Sequence, residues 1–230
     1  MTVLPPVSVA DAIRSRRSVR RFRPDPLPDD LLAGLLDLAM EAPSSWNFQS
    51  RSVVAVTAPE DREALARAAN GQDQPRRAPA TLVFLAECDA WRGDLTDVLD
   101  TARANGAWSE DFTEAVATHG VDFQRDLAAR GLLREYAVKD AMIAASFAML
   151  SATGAGLASS PMNGWDEAKV KKVIGADARE DLAVALLLSV GLPDEDRRHP
   201  GRRPRTRHVF HGRYGRPLPS STTTSDGEPR

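Results

Sequence analysis

The sequence predicts a mixed α/β or α+β single domain in which helices outnumber strands. Two observations carry that reading. Few segments are apolar and compact enough to be strands, chiefly 52–57, 81–86 and 182–190. Long stretches of helical pattern separate them. Hydrophobic residues make up 42% of the chain and charged residues 27%, which suits a globular protein with a real core.

The elements follow in order. Ser8 and Asp11 form an N-cap with an acidic first turn, and Val9, Ala12 and Ile13 supply an apolar face. That helix is expected to stop near Ser15–Arg17. Phe22 to Pro28 is a proline-stiffened connector. Pro28 opens a second helix with a stripe of Leu31, Leu32, Leu35, Leu36 and Ala39, ending at Ala42-Pro43. Residues 44–49 are a loop of short polar side chains. Ser52 to Thr57 reads as a strand. Pro59 opens a helix that Asn70-Gly71 closes. Thr81 to Ala86 is a buried strand. Residues 91–131 are more polar and read as two or three amphipathic helices forming a cover. Tyr136 to Leu157 is the longest helical pattern, and its many alanines and serines allow close approach. That face suits a tight helix–helix interface or burial within the chain. Asp166 caps a short helix carrying Val170, Val173 and Ile174. Leu182 to Val190 is the most apolar strand. Residues 216–230 are Ser/Thr-rich and expected to be disordered.

Composition excludes several classes. The net charge is −2 and the pI near 6, which argues against nucleic acid. No apolar run reaches the ~18 residues that a membrane span needs. Met1 to Pro6 lacks the basic flank and apolar stretch of a secretory signal. The single cysteine, Cys88, has no disulfide partner and reads as a small buried hydrophobe. These point to a cytoplasmic protein with no membrane contact.

Arginines cluster in two knots, Arg14 to Arg21 and Arg202 to Arg207. Guanidinium groups make bidentate, charge-assisted bonds to phosphate oxygens, so the knots suit a phosphate clamp. Gly154-Ala155-Gly156-Leu157-Ala158-Ser159 imitates a dinucleotide fingerprint, but it follows a helix rather than a strand, and a helix C-cap accounts for it. His208 and His211 have i,i+3 spacing without a carboxylate or cysteine cluster, so no metal site is expected. Neither a nucleophile elbow nor a P-loop is present.

Taken together, several segments resemble the flavin-dependent nitroreductase family. They are R-S-R-R-S-V-R-R-F at 14–22, A-P-S-S-W-N-F-Q at 42–49 and G-Q-D-Q-P-R-R-A-P at 71–79. They continue with G-L-A-S-S-P-M-N-G-W-D at 156–166, V-G-L-P at 190–193 and the R-R-P near 203. The resemblance implies an α+β fold with a mixed central β-sheet surrounded by helices, a homodimer, and FMN at the dimer interface. It covers one domain over residues 1–215, with 91–131 over the active site.

By the same resemblance, Arg16, Arg17 and Ser18 contact the phosphate side of FMN, and Arg20 faces the N1/O2 edge of the ring. Pro43, Ser44, Ser45 and Asn47 reach the partner's flavin. Gln72 and Gln74 meet the ring edge, and Pro161, Met162, Asn163 and Gly164 lie beside the ring. Arg202, Arg203 and Arg205 complete the phosphate clamp. Phe112 and Phe123 are candidates for the substrate pocket. The chain departs from the family pattern at Ser50-Arg51, at Asn163 and at Asp73 and Pro75. The implied activity is reduction of nitroaromatics, quinones or enones, as small-molecule electron acceptors, by NADH or NADPH in a ping-pong cycle. No acid–base dyad is needed for that chemistry, because the cofactor carries it. A flavin-dependent dehalogenase, a flavin-consuming relative and a non-catalytic flavin- or phosphate-binding module are the alternatives.

Overall fold

The computed structural model describes residues 7–219 of the 230-residue chain. Two compact units divide it, Met1–Arg197 and Arg198–Arg230. The readings made on Met1–Pro6 and on the tail from Ser220 onward fall outside the described residues.

The first unit begins with α1 (Val9–Ser15), where Ser8 Oγ accepts the Asp11 amide, and α2 (Asp29–Met40), entered through Pro28. Then come β1 (Arg51–Val56), α3 (Pro59–Ala68), the single turn α4 (Gln74–Arg77) and β2 (Ala80–Glu87). The polar stretch expected as a cover forms α5 (Thr96–Ala104), α6 (Glu110–Ala115), a π-helical turn Val116–Gly120 and α7 (Val121–Ala129). The long α8 (Leu133–Gly154), β3 (Ala158–Met162), α9 (Glu167–Val173) and β4 (Leu182–Gly191) complete it.

The sheet order is β1-β2-β4-β3, and every neighbouring pair is antiparallel. The mixed character expected of the sheet reduces, among the described residues, to one isolated parallel bridge, Ser18 to Ser159. Both faces of the sheet are covered, which is why β2 and β4 read as continuous apolar runs. Leu82, Phe84, Leu186 and Leu188 pack against Leu35 and Ala39 of α2 and Ala144 and Ala148 of α8. Val83, Leu85 and Leu187 pack on the other side against Leu65 of α3 and Val170 of α9. The small-residue face of α8 therefore serves its own chain. Its alanines let a 22-residue helix lie close to both the sheet and α2.

β3 is the element that the sequence pattern did not show. Ala-Ser-Ser-Pro-Met has neither alternation nor β-branched residues. Its place at the sheet edge explains how Pro161 is tolerated there. β4 ends at a tight seam. A Cβ on Gly191 would stand 2.5 Å from Pro79 Cδ and 3.2 Å from Phe22 Cδ1, so only glycine fits.

Among its described residues, the second unit holds a 3₁₀ turn, Arg205–Arg207, and an antiparallel bridge between Phe210 and Pro217.

Candidate functional site

The first arginine knot is built by backbone pairing. α1 ends at Ser15, and Arg16 takes up extended geometry with its amide on Ala12 O. The chain then runs along the edge of the sheet. Ser18 bridges to Ser159, and the Val19 amide donates to Ser159 O at 3.1 Å. Farther on, Phe22 bridges to Pro193 and the Arg23 amide reaches Leu192 O. Between these anchors the amides of Arg20 and Arg21 both donate to Glu195 Oε1, at 2.6 and 3.1 Å. The Glu195 side chain is only 7% exposed and also pairs with Arg21 and Arg197. Burial pushes its carboxyl up, but the bonds from Arg197 and the two amides outweigh that and bring it down to about 2.

Beside this knot lies a cavity of about 320 Å³, lined by Ser15, Arg16, Arg17, Thr153, Glu195 and Arg197 among others. Arg17 already donates Nη1 to Arg14 O and Arg16 O. The cavity thus presents three guanidinium groups and two hydroxyls alongside the carboxylates of Glu195 and Asp196, and the guanidinium groups are the part that suits a phosphate. Arg20 projects outward, and its side chain has no partner among the described residues. Asp25 pairs with Arg23 instead, at 2.9 Å. Glu195 and Arg197 were not singled out in the sequence, because the run Asp194 to Arg198 looks like a solvated charged turn.

Arg202, Arg203 and Arg205 belong to the second unit and are exposed there. Arg202 donates to Gly201 O and Arg205 to Pro219 O.

Gln72 and the 161–164 segment do come together. Gln72 Nε2 donates to Asn163 O at 2.7 Å and to Ala69 O, and Asn70 Nδ2 donates to Gly164 O at 2.6 Å. Asn70, Gly71 and Gly164 all have positive φ, which gives this junction its sharp turns. Gln74 is buried in α4. Pro161 and Met162 lie in β3 rather than in a loop. The Met162 side chain enters the core, where Ser189 Oγ approaches its sulfur at 3.7 Å. The exposed Asn163 and Gly164 form the part of this segment that faces outward.

The third component is the loop from Pro43 to Gln49. Its backbone is unusual: Trp46, Asn47 and Gln49 all adopt left-handed φ near +50°, at 54°, 54° and 52°. Side chains hold it. Ser44 Oγ accepts the Gln49 amide at 2.9 Å. Asp140 of α8, 7% exposed, accepts the Ser45 amide with both oxygens, at 3.2 and 3.3 Å. Arg51, at the start of β1 and equally buried, donates Nη2 to Met40 O at 2.8 Å and to Ala42 O. Burial lowers the Arg51 guanidinium while Asp140 opposes this; burial likewise raises Asp140, with Ser45 and Arg51 opposing. On the outer side the loop meets the helical cover. Gly120, in the π-helical turn, lies so close that a Cβ would stand 2.9 Å from Phe48 Cζ and 3.2 Å from Trp46 Cδ2.

A second cavity, about 670 Å³, opens between this loop and the cover. Pro43, Ser44, Asn47 and Gln49 line one side, and Asn105 and Trp108 the other. Trp108 is the aromatic ring on that wall. Phe112 stands edge-on to it at 5.3 Å, and Phe123 packs between Trp46 and Tyr136. No metal-binding group of three or more His, Cys, Asp or Glu occurs among the described residues. No described helix is long and apolar enough to cross a membrane.

Comparison with known proteins places this architecture. An NADH dehydrogenase of Thermus thermophilus is 32% identical over 195 residues, covering 84% of this chain and 90% of that protein. A nitroreductase-like protein from Streptococcus mutans has a TM-score of 0.77 at 28% identity, over 88% of this chain and 97% of that one. An Exiguobacterium sibiricum protein crystallised in complex with FMN shares the fold, with a TM-score of 0.76 at 20% identity over 88% and 96% of the chains. The family model described as the Nitroreductase family matches residues 13–192, and the chain belongs to that family.

Proposed function

We propose that this protein is a homodimeric, FMN-dependent NAD(P)H oxidoreductase that reduces small nitroaromatic, quinone or enone acceptors. The observation that carries the proposal is the arginine-lined cavity beside the α1 terminus, in a chain whose relatives are named for NAD(P)H chemistry. Its guanidinium and hydroxyl groups fit a single phosphate, and no dinucleotide fingerprint stands in the right context for FAD.

When bound, such a cofactor supplies hydride exchange, first with NADH or NADPH and then with the acceptor, in a ping-pong cycle. The protein's own residues bind and orient. Arg16, Arg17, Ser18 and Arg197 would hold the phosphate, with Arg202, Arg203 and Arg205 as further candidates. Arg20 would place a cation against the ring edge where negative charge collects, an electrostatic contribution. Gln72 fixes the Asn163–Gly164 backbone, and that backbone and Gln74 would border the ring. Pro43, Ser44, Ser45 and Asn47 would serve the partner's cofactor, with the cavity at Trp108 admitting the acceptor.

Support for the dimer comes from the surface. Val9 and Ile13 of α1 are 70% and 57% exposed, and Ile143 and Phe147 of the adjoining α8 are also exposed. Sedimentation at low micromolar concentration should show a species near twice 24.9 kDa.

An absorbance spectrum of the purified protein tests the reading. A flavin spectrum is expected, bleached by anaerobic NADH or NADPH, with FMN as the species released by heat. FAD as the main species, or no flavin after reconstitution, would overturn it.

A further inference from the structure

We propose that Arg51 and Asp140 are positioning residues that hold the Pro43–Gln49 loop in the shape the flavin site requires. The proposal rests on the FMN-dependent reading above and assigns that site two further residues.

The loop needs holding. Left-handed backbone is unfavourable for residues other than glycine, with asparagine the mildest case, so Trp46 and Gln49 above all oppose this shape. Trp46 is the extreme case, since bulky residues seldom adopt that region. Such geometry persists only where the surroundings over-determine it. The hydrogen bonds internal to the loop are local: Asn47 N to Ser44 O, Phe48 N to Ser45 O and Gln49 N to Ser44 Oγ. They shape the turn but do not attach it to the rest of the fold.

Arg51 and Asp140 supply that attachment. The guanidinium of Arg51 grips the carbonyls of Met40 and Ala42, which lead into the loop. The carboxylate of Asp140 takes the Ser45 amide at the loop's first turn. One side chain comes from β1 and the other from α8, so the loop is tied to the sheet and to the central helix together.

The pair is not explained by stability alone. Nε and Nη1 of Arg51 are buried without a hydrogen-bond partner among the described residues. Two buried charges that do not touch directly are a poor way to stabilise a core. Apolar residues of similar volume are often neutral or better at such places. What apolar residues cannot do is accept the Ser45 amide or cap the Met40 and Ala42 carbonyls. The same loop residues Pro43, Ser44, Asn47 and Gln49 line the 670 Å³ cavity, so a shift of the loop alters that wall directly.

The test separates holding the loop from holding the fold. The double variant Arg51→Met/Asp140→Leu removes both charges and both grips. It should unfold at or near the wild-type temperature. It should nevertheless bind FMN at least tenfold more weakly, about 1.4 kcal/mol. Protease should cut the flavin-free protein within residues 43–49 faster than it cuts wild type. The variant Arg51→Met/Asp140→Asn keeps an acceptor for Ser45 and should regain part of the affinity. A folded double variant with wild-type FMN affinity and wild-type cleavage would overturn the proposal. So would an Asn version no better than the Leu version. Wild-type protein that takes up no flavin would instead overturn the functional reading beneath it.

Discussion

The arginine knot at 16–23 and the loop at 43–49 are both partly buried segments that line the two candidate cavities, yet they are fixed in opposite ways. The knot is held through its backbone. Bridges to Ser159 and Pro193 and the Glu195 carboxylate occupy its amides, which leaves side chains such as that of Arg20 directed outward. The loop is held through buried side chains, with Arg51 and Asp140 beneath it and Gly120 pressed against Trp46 and Phe48 above. Arg17 and Arg21 do spend their guanidinium groups within the knot, but the backbone anchors free Arg20 from that task. A segment that must offer a shaped wall can recruit buried charges for that purpose.

The largest break in this comparison is expected at Glu195. Glu195→Ala leaves two amides and two arginines without their acceptor. Removing this acceptor, whose arginine partners are 61% and 40% exposed, costs about 1.5–3 kcal/mol. Denaturant unfolding should register that loss, together with weakened FMN retention. The same residue confers acid sensitivity. Its folded-state value of about 2 lies below the ordinary 4.5 of a glutamate. Its stabilisation is therefore complete above about pH 4.5 and is lost as pH falls toward 2. A pH titration of stability in which Glu195→Gln matches wild type across that window would remove this role.

Gly120→Ala tests the loop side. In an open helix this change stabilises by about 1 kcal/mol. Here the new methyl meets buried Phe48 and half-buried Trp46, so destabilisation of about 2 kcal/mol is expected from overpacking. The sign of the change in the unfolding midpoint decides between the two. A rise in the midpoint would show that the cover does not press on the loop.

Arg20→Ala sharpens the contrast from the knot side. Its side chain bonds nothing among the described residues, so the unfolding midpoint should not move. The two-electron potential of the bound flavin should fall by about 30 mV, equivalent to about 1.4 kcal/mol for such a couple. An unchanged potential with the cofactor fully bound would assign Arg20 to the surface. The smallest effect belongs to Asp25→Ala, which breaks only an exposed pair with Arg23 and should change stability by less than about 0.5 kcal/mol. A larger loss would mean that the knot depends on its side chains after all.

Much of the fold was legible because its signals are local. Ser8, Pro28, Pro59 and Asn70-Gly71 mark helix ends by their own backbone preferences, and the structure keeps all of them. The runs of β2 and β4 were legible because both faces are covered. β3 was not, since its five residues owe their strand state to β4 and to the sheet edge. The segments proposed for the site stand out in the sequence as a set of motifs. Arg51, Asp140, Glu195 and Arg197 do not. Each is a charged residue whose burial or partners come from distant segments, and nothing in the neighbouring sequence marks that. Trp108 was passed over for Phe112 and Phe123 because the helical pattern of 91–131 does not say which face turns inward.

The Glu195 contact also has a consequence in time. Arg20 and the carboxylate that holds its amide are separated by 175 positions. A ribosome adding roughly 5–20 residues per second delivers the second partner roughly 10–35 seconds after the first. Through that interval the nascent arginine segment lacks its carboxylate, and β4, whose end adjoins that carboxylate, has not yet entered the sheet. The arginine-rich end of the molecule is thus among the first parts to be synthesised and among the last to take shape. Closure of this long loop is an obvious place to look for the slow phase in refolding.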